Sequence, residues 1–176
     1  MTNEVLECIK TRRSIKKYKA TPIPEEALAA IIEAGTYAPT GKNMQTPIII
    51  AVTNKELRDK LSRLNASVMG ASHDPFYGAP CVLAVLADRA VLEMTYINDG
   101  SLVLGNMLLA AHSLGIGGCW IHRAREVFAT EEGGEILRDL GIEGDFVGIG
   151  HCVLGYPDCD YPETKPRKEN YVYRVD

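Results

Sequence analysis

The run DGSLVLGNMLLAAHSL, residues 99–114, decides the reading of the fold. Wound as a helix it is apolar on most faces, and a helix with no polar side must be enclosed by other elements. The enclosing elements lie on either side in the sequence. Downstream, Gly115, Gly117 and Gly118 end the helix and lead into the short segment Cys119-Trp120-Ile121. Upstream, residues 48–52 and 81–87 are nearly continuous apolar runs, as in strands buried on both faces. Residues 145–154 form a further strand-like run.

Helical spacing fills the gaps between these strands. Residues 3–10 place Val5, Leu6 and Ile9 on one stripe. After Pro22 and Pro24 comes the stripe Leu28, Ile31 and Ile32, with Glu25 and Glu26 at its N-terminal dipole and Gly35 as its stop. Asn54 caps a helix over residues 55–64. Another helix spans residues 131–140. Residues 65–80, with Gly70, Pro75, Gly78 and Pro80, read as a long loop. The tail, residues 157–176, is charged and proline-bearing and ends near the alternation Tyr171-Val172-Tyr173. With no repeat or linker, the expected architecture is one α+β domain over residues 1–176, a central mixed sheet flanked by helices.

The 176 residues are 46% hydrophobic and 24% charged, with a net charge of −4. This composition excludes a disordered chain, and an acidic balance argues against a nucleic-acid-binding surface. No apolar stretch approaches bilayer length, and neither a secretory signal nor a lipidation motif is found, so a cytoplasmic protein without a membrane partner is expected. Cys8, Cys81, Cys119, Cys152 and Cys159 show no C-x-x-C spacing. They read as reduced thiols, and with no metal-ligand spacing among His73, His112 and His151, no metal is expected.

Four segments carry chemistry. Arg12-Arg13-Ser14-Ile15-Lys16-Lys17 packs four cations and a hydroxyl into six residues. Such a cluster either complements a helix C-terminus or converges on a phosphate. Tyr37-Ala38-Pro39-Thr40-Gly41-Lys42-Asn43-Met44-Gln45-Thr46-Pro47 is either turn chemistry or a set of amides and hydroxyls for a polar ligand edge. Gly115-Ile116-Gly117-Gly118-Cys119-Trp120-Ile121-His122 is either a tight turn with a core tryptophan or a close backbone approach to an aromatic ligand. Gly155-Tyr156-Pro157, followed by Lys165-Pro166-Arg167-Lys168, is either a solvated tail or a second half of an anion pocket.

In order and spacing, these four segments together resemble the nitroreductase family. The likeness rests on Arg12-Arg13-Ser14-Ile15-Lys16, on Ala38 to Pro47, on the glycine-rich connection before Ile121, and on Gly155-Tyr156-Pro157 with Lys165-Pro166-Arg167. It covers nearly the whole chain. The resemblance implies a three-layer nitroreductase-like fold and FMN as cofactor. It also implies a homodimer whose flavin sites lie between the subunits, with helix 99–114 at the interface. Residues matching Arg12, Arg13, Ser14 and Lys16, with Lys165 and Arg167, hold the phosphate and ribityl chain. Those matching Pro39, Thr40, Gly41, Asn43 and Gln45 reach the flavin from the other subunit. Gly118 and the backbone of Trp120, Ile121 and His122 face its ring. Many members are longer, with an added helix over the active site, which sets this chain apart as a compact one.

The implied activity is electron transfer from NADH or NADPH to nitroaromatic, quinone or related small-molecule acceptors by a ping-pong cycle. The flavin does the chemistry, and no side chain stands out as a catalyst; His122 is the best-placed candidate proton donor, the alternative being a surface or core histidine with no catalytic part. The alternatives are reductive dehalogenation or flavin reduction at the same cofactor, an FMN-binding module without turnover, or a flavin-free phosphate-recognising domain.

Overall fold

The computed structural model describes residues Met1–Asp176. Its sheet contains β1 (Pro47–Val52), β2 (Cys81–Asp88), β3 (Gly117–Ile121) and β4 (Phe146–Gly155), in the spatial order β1-β2-β4-β3. All three pairings are antiparallel, with Cys81 opposite Leu154 and Gly117 opposite Gly155. The expected mixed sheet is therefore corrected to an antiparallel one, and the single parallel link is the isolated bridge from Ser14 to Gly118. An unbroken apolar run such as Cys81 to Ala87 records burial on both faces and says nothing of strand direction.

Helices cover both faces, giving three layers. On one side α2 (Glu25–Thr36) and α4 (Tyr96–Ser113) pack Leu28, Ile31, Val103, Leu104, Met107, Leu108 and Ala111 against Cys81, Leu83, Val85, Cys152 and Leu154. On the other, α3 (Lys55–Met69), α5 (Ala124–Phe128) and α6 (Glu131–Asp139) pack Leu61, Leu64, Val127, Phe128 and Ile136 against Val82, Ala84, Leu86, Cys119, Ile121 and Val153. Each fully buried aliphatic side chain contributes about 1.5–3 kcal/mol. The short α1 (Glu4–Thr11) lies outside this core, where the Cys8 Sγ meets the Leu109 carbonyl of α4 at 3.4 Å.

Side-chain caps set three of the six α-helix starts. Asn3 Oδ1 accepts the Leu6 N–H, Asn54 Oδ1 that of Leu57, and Thr130 Oγ1 that of Gly133. The ends differ from the expected ones. Gly35 stays inside α2 because Met107 of α4 packs there; a β-carbon would come within 2.8 Å of its Cγ. Five residues expected in the loop, 65–69, continue α3, which ends where Gly70 turns left-handed at φ 68°. The remaining loop is gathered by Asp74, whose carboxylate accepts from Arg58 Nη2, Ser62 Oγ and the Phe76 and Gly78 N–H groups. The tail beyond Pro157 is exposed throughout, and Tyr171-Val172-Tyr173 joins no strand of this chain. No helix is long and apolar enough to cross a membrane.

Candidate functional site

The basic segment leaves α1 at Arg12, whose φ of −56° and ψ of 133° break the helix. It then runs beside the free edge of β3: the Ile15 N–H donates to the Gly118 carbonyl at 3.1 Å, and the Lys19 N–H to Tyr156 O at 2.9 Å. Ile15 and Tyr18 face inward and are buried, and Tyr18 Oη donates to the Ile15 carbonyl at 2.7 Å. Alternation then turns Ser14 and Lys16 outward. Gly117 is required here, since a β-carbon would lie 2.9 Å from Ile15 Cγ1.

Arg13 is held by backbone carbonyls, and neither arginine is neutralised. Arg13 Nη1 donates to the Lys10 and Arg12 carbonyls at 2.8 and 2.7 Å. Arg12 Nη1 and Arg13 Nε are buried with no acceptor at all. Below them, burial pushes the Cys119 thiol up, while Ser14, Lys16 and Arg12 pull it the other way; all three converge on this point of β3. Lys165 and Arg167 are not brought here. They lie on the exposed tail, where Arg167 Nη2 donates to the Lys165 carbonyl at 2.9 Å.

The Pro39–Gln45 segment lies elsewhere, at the entry to β1 on the opposite edge of the sheet. Its organiser is Asp99, in the first turn of α4 and 3% exposed. Asp99 Oδ1 accepts the Gly41 N–H at 2.9 Å, and Oδ2 accepts the Thr46 and Thr95 hydroxyls at 3.0 and 3.2 Å. A side chain at Gly41 would collide with Thr95 Oγ1. Lys42, Asn43 and Gln45 all adopt positive φ, near 50°, and the Gln45 N–H is caught by Thr40 Oγ1 at 3.1 Å. Non-glycine residues hold that conformation only under local restraint, so this loop is shaped at a cost. Pro39, Asn43 and Gln45 are left exposed, and a cavity of about 350 Å³ lies under Thr40, Gln45 and Pro47.

On β3, Gly118 and Trp120 point toward α4, and Ile121 points into the opposite core. Trp120 lies over Gly150, where a β-carbon would come 2.5 Å from its Nε1, and remains 36% exposed. Ile121 is buried and offers a ligand its backbone alone. His122 is exposed and lines a 210 Å³ cavity with Tyr96, Arg123 and Arg125. Its carbonyl is gripped by Asn65 Nδ2 at 2.8 Å, just before Arg123 turns left-handed at φ 76°.

Sequence reasoning missed Asp99 and Asn65. An acid inside an otherwise apolar helix was the visible signal for the first. The second carried none, because its partner lies 57 residues away. No three His, Cys, Asp or Glu side chains converge on one point.

The sequence pattern of the nitroreductase family matches residues 9–72 and 68–156. A NADPH-flavin oxidoreductase of Vibrio harveyi is 32% identical over 180 aligned positions, covering 97% of this chain and 72% of its own. A solved nitroreductase with bound FMN from Bacteroides fragilis NCTC 9343 superposes with a TM-score of 0.90 at 31% identity, covering 99% of this chain and 100% of that one. Another with bound FMN, from Desulfitobacterium hafniense DCB-2, gives 0.88 at 28% identity with the same coverage. Matched by the family pattern over most of its length, and sharing its fold end to end with these structures, the chain belongs to the nitroreductase family.

Proposed function

We propose that this chain is an FMN-dependent oxidoreductase that takes electrons from NADH or NADPH and passes them to nitroaromatic, quinone or related acceptors by a ping-pong cycle. The observation that carries the reading is the pair of buried, unpartnered guanidinium nitrogens on Arg12 and Arg13, beside the outward Ser14 and Lys16. A buried donor without an acceptor costs about 1–3 kcal/mol. Two guanidiniums, a hydroxyl and an ammonium form the donor set that grips a phosphate, so these residues fit the phosphate end of FMN. The flavin named for the V. harveyi relative and bound in both neighbours supports the same cofactor.

In this reading Arg12, Arg13, Ser14 and Lys16 hold the phosphate and ribityl chain, and Lys165 and Arg167 close over it. Gly118, Trp120, the Ile121 backbone and His122 flank the ring. Pro39, Thr40, Gly41, Asn43 and Gln45 approach from a second subunit. The spacing within one chain supports that division. Ser14 adjoins β3 at the level of Leu154, and Pro47 begins β1 at the level of Val147. Four strand spacings across and seven residues along separate them by about 30 Å. The exposed Val5, Leu6 and Ile9 of α1 and Ile97 and Leu102 of α4 suit a homodimer interface.

Bound FMN supplies reversible hydride chemistry. The protein's part is to hold the ring, shield one face and leave the other open to nicotinamide and acceptor in turn. His122 is the candidate proton donor; if His122→Ala keeps its turnover, solvent fills the role. Five free cysteines suit a reducing, cytoplasmic setting.

The test is the visible spectrum of the FMN-loaded protein, recorded anaerobically during titration with NADH and then NADPH. Bleaching, followed by return of the colour on adding a nitroaromatic or quinone, is expected. A flavin that never bleaches would leave a binding module, and a protein that ignores FMN would refute the assignment.

A further inference from the structure

The last fastening of the C-terminal tail to the body of the protein is at the His112 ring. Thr11 Oγ1 donates its one proton to the Glu7 carbonyl at 2.7 Å. At 2.9 Å from His112 Nε2 that hydroxyl can only accept, so Nε2 carries the imidazole proton. Nδ1 is then the acceptor for Tyr161 Oη, 2.8 Å away. The Tyr161 oxygen in turn receives the Arg13 backbone N–H at a longer 3.4 Å. The bonds run in one direction, from Arg13 through Tyr161, His112 and Thr11 to Glu7, and the His112 and Tyr161 rings stack with centroids 5.7 Å apart. Burial, with Arg12 and Arg13 close by, pushes His112 below its ordinary value and keeps the imidazole neutral, as this relay requires. Beyond Tyr161 the polar contacts are internal to the tail: Arg167 on the Lys165 carbonyl, and Lys168 over the Tyr171 ring.

We propose that His112 and Tyr161 are positioning residues for the phosphate site, tethering the tail beside Arg13 and so keeping Lys165 and Arg167 within reach of it. This rests on the FMN reading above. Lys165 follows the tether by four residues, a leash of at most about 14 Å. With the tether released, the next anchor is the Asp158 N–H on the Lys17 carbonyl at 3.0 Å. The leash to Lys165 then grows to about 24 Å. For a flexible leash the effective concentration of the ammonium at the phosphate falls as about the −3/2 power of the length, here about twofold. Arg167 loses somewhat less.

The test uses the full-length chain freed of flavin, titrated with FMN and with riboflavin, which has the same ring and no phosphate. Wild type is compared with Tyr161→Phe, which keeps the ring stack and loses both hydrogen bonds, and with His112→Phe. Both variants are expected to lose about two- to fourfold in FMN affinity and nothing in riboflavin affinity. A preference for FMN as wide as in wild type would overturn the tether. Equal losses for both flavins would overturn it too, as a general loosening. A wild-type protein with no preference for FMN would instead overturn the phosphate site itself.

Discussion

His151 makes the fold sensitive to acid. It sits in the middle of β4 with no solvent exposure, 5.2 Å from the Phe76 ring and 6.1 Å from that of Phe128. Neither ring nitrogen has a hydrogen-bond partner of good geometry. Burial pulls its pKa from 6.5 down to about 4, offset in small part by the nearby Ile121 backbone. The unfolded chain thus takes up a proton near pH 6.5 and the folded chain only near pH 4. Protons favour the unfolded state between those values: the contribution is whole above pH 6.5 and is lost as the pH falls toward 4. At about 1.4 kcal/mol per pH unit the full loss is about 3 kcal/mol, of which about 2 has gone by pH 5. The perturbation is His151→Leu, close in volume and unable to titrate, with His151→Phe as a second version. Urea denaturation of wild type and both variants at pH 7.5 and pH 5.0, at one fixed FMN concentration, gives the stabilities to compare. Wild type is expected to lose about 2 kcal/mol more than the variants over that interval. At pH 7.5 the variants should match or exceed wild type, because two unpaired buried nitrogens leave the core. Equal losses in wild type and both variants would refute the reasoning.

Replacing Arg12 or Ser14 by Ala is expected to weaken FMN binding by about 1–3 kcal/mol each, about 5- to 150-fold in dissociation constant, read by flavin fluorescence. Asp99→Ala removes three hydrogen bonds from a buried carboxylate and should cost about 2–4 kcal/mol in urea denaturation, with a larger fall in turnover than in stability if the Pro39–Gln45 loop is freed. Burial raises the Asp74 carboxyl, but hydrogen bonds from Ser62, Arg58, Gly78 and Phe76 outweigh it and hold it below the ordinary range. Its support is therefore present near neutral pH and fades as the pH drops through the ordinary carboxylate range. Asp74→Ala should make residues 70–80 the first site of limited proteolysis.

The elements whose burial pattern is self-contained were legible from the chain alone. Residues 81–87 and 99–114 announce themselves because they are apolar without interruption, and the structure puts them at its centre. Where a distant partner decides the outcome, local reading failed. Gly35 looks like a helix stop until Met107 is known to pack on it, and residues 65–69 look like a loop until the Asn65 amide is seen holding the His122 carbonyl. Strand direction was misread because double-sided burial carries no polarity. The site shows the same divide. The basic and amide-rich segments stand out as residue patterns, but that they occupy opposite edges of one sheet follows from the order β1-β2-β4-β3, which no local pattern encodes.

In the proposed homodimer, that separation would make the working unit a pair of complementary halves. A chain crippled at Ser14 and a chain crippled at Asn43 would each form inert homodimers. Mixed and allowed to exchange subunits, they would form a heterodimer in which one site gathers both defects and the other neither. Activity would reappear from two dead proteins, as complementation between alleles of one gene, and a site confined within a single chain could not produce it.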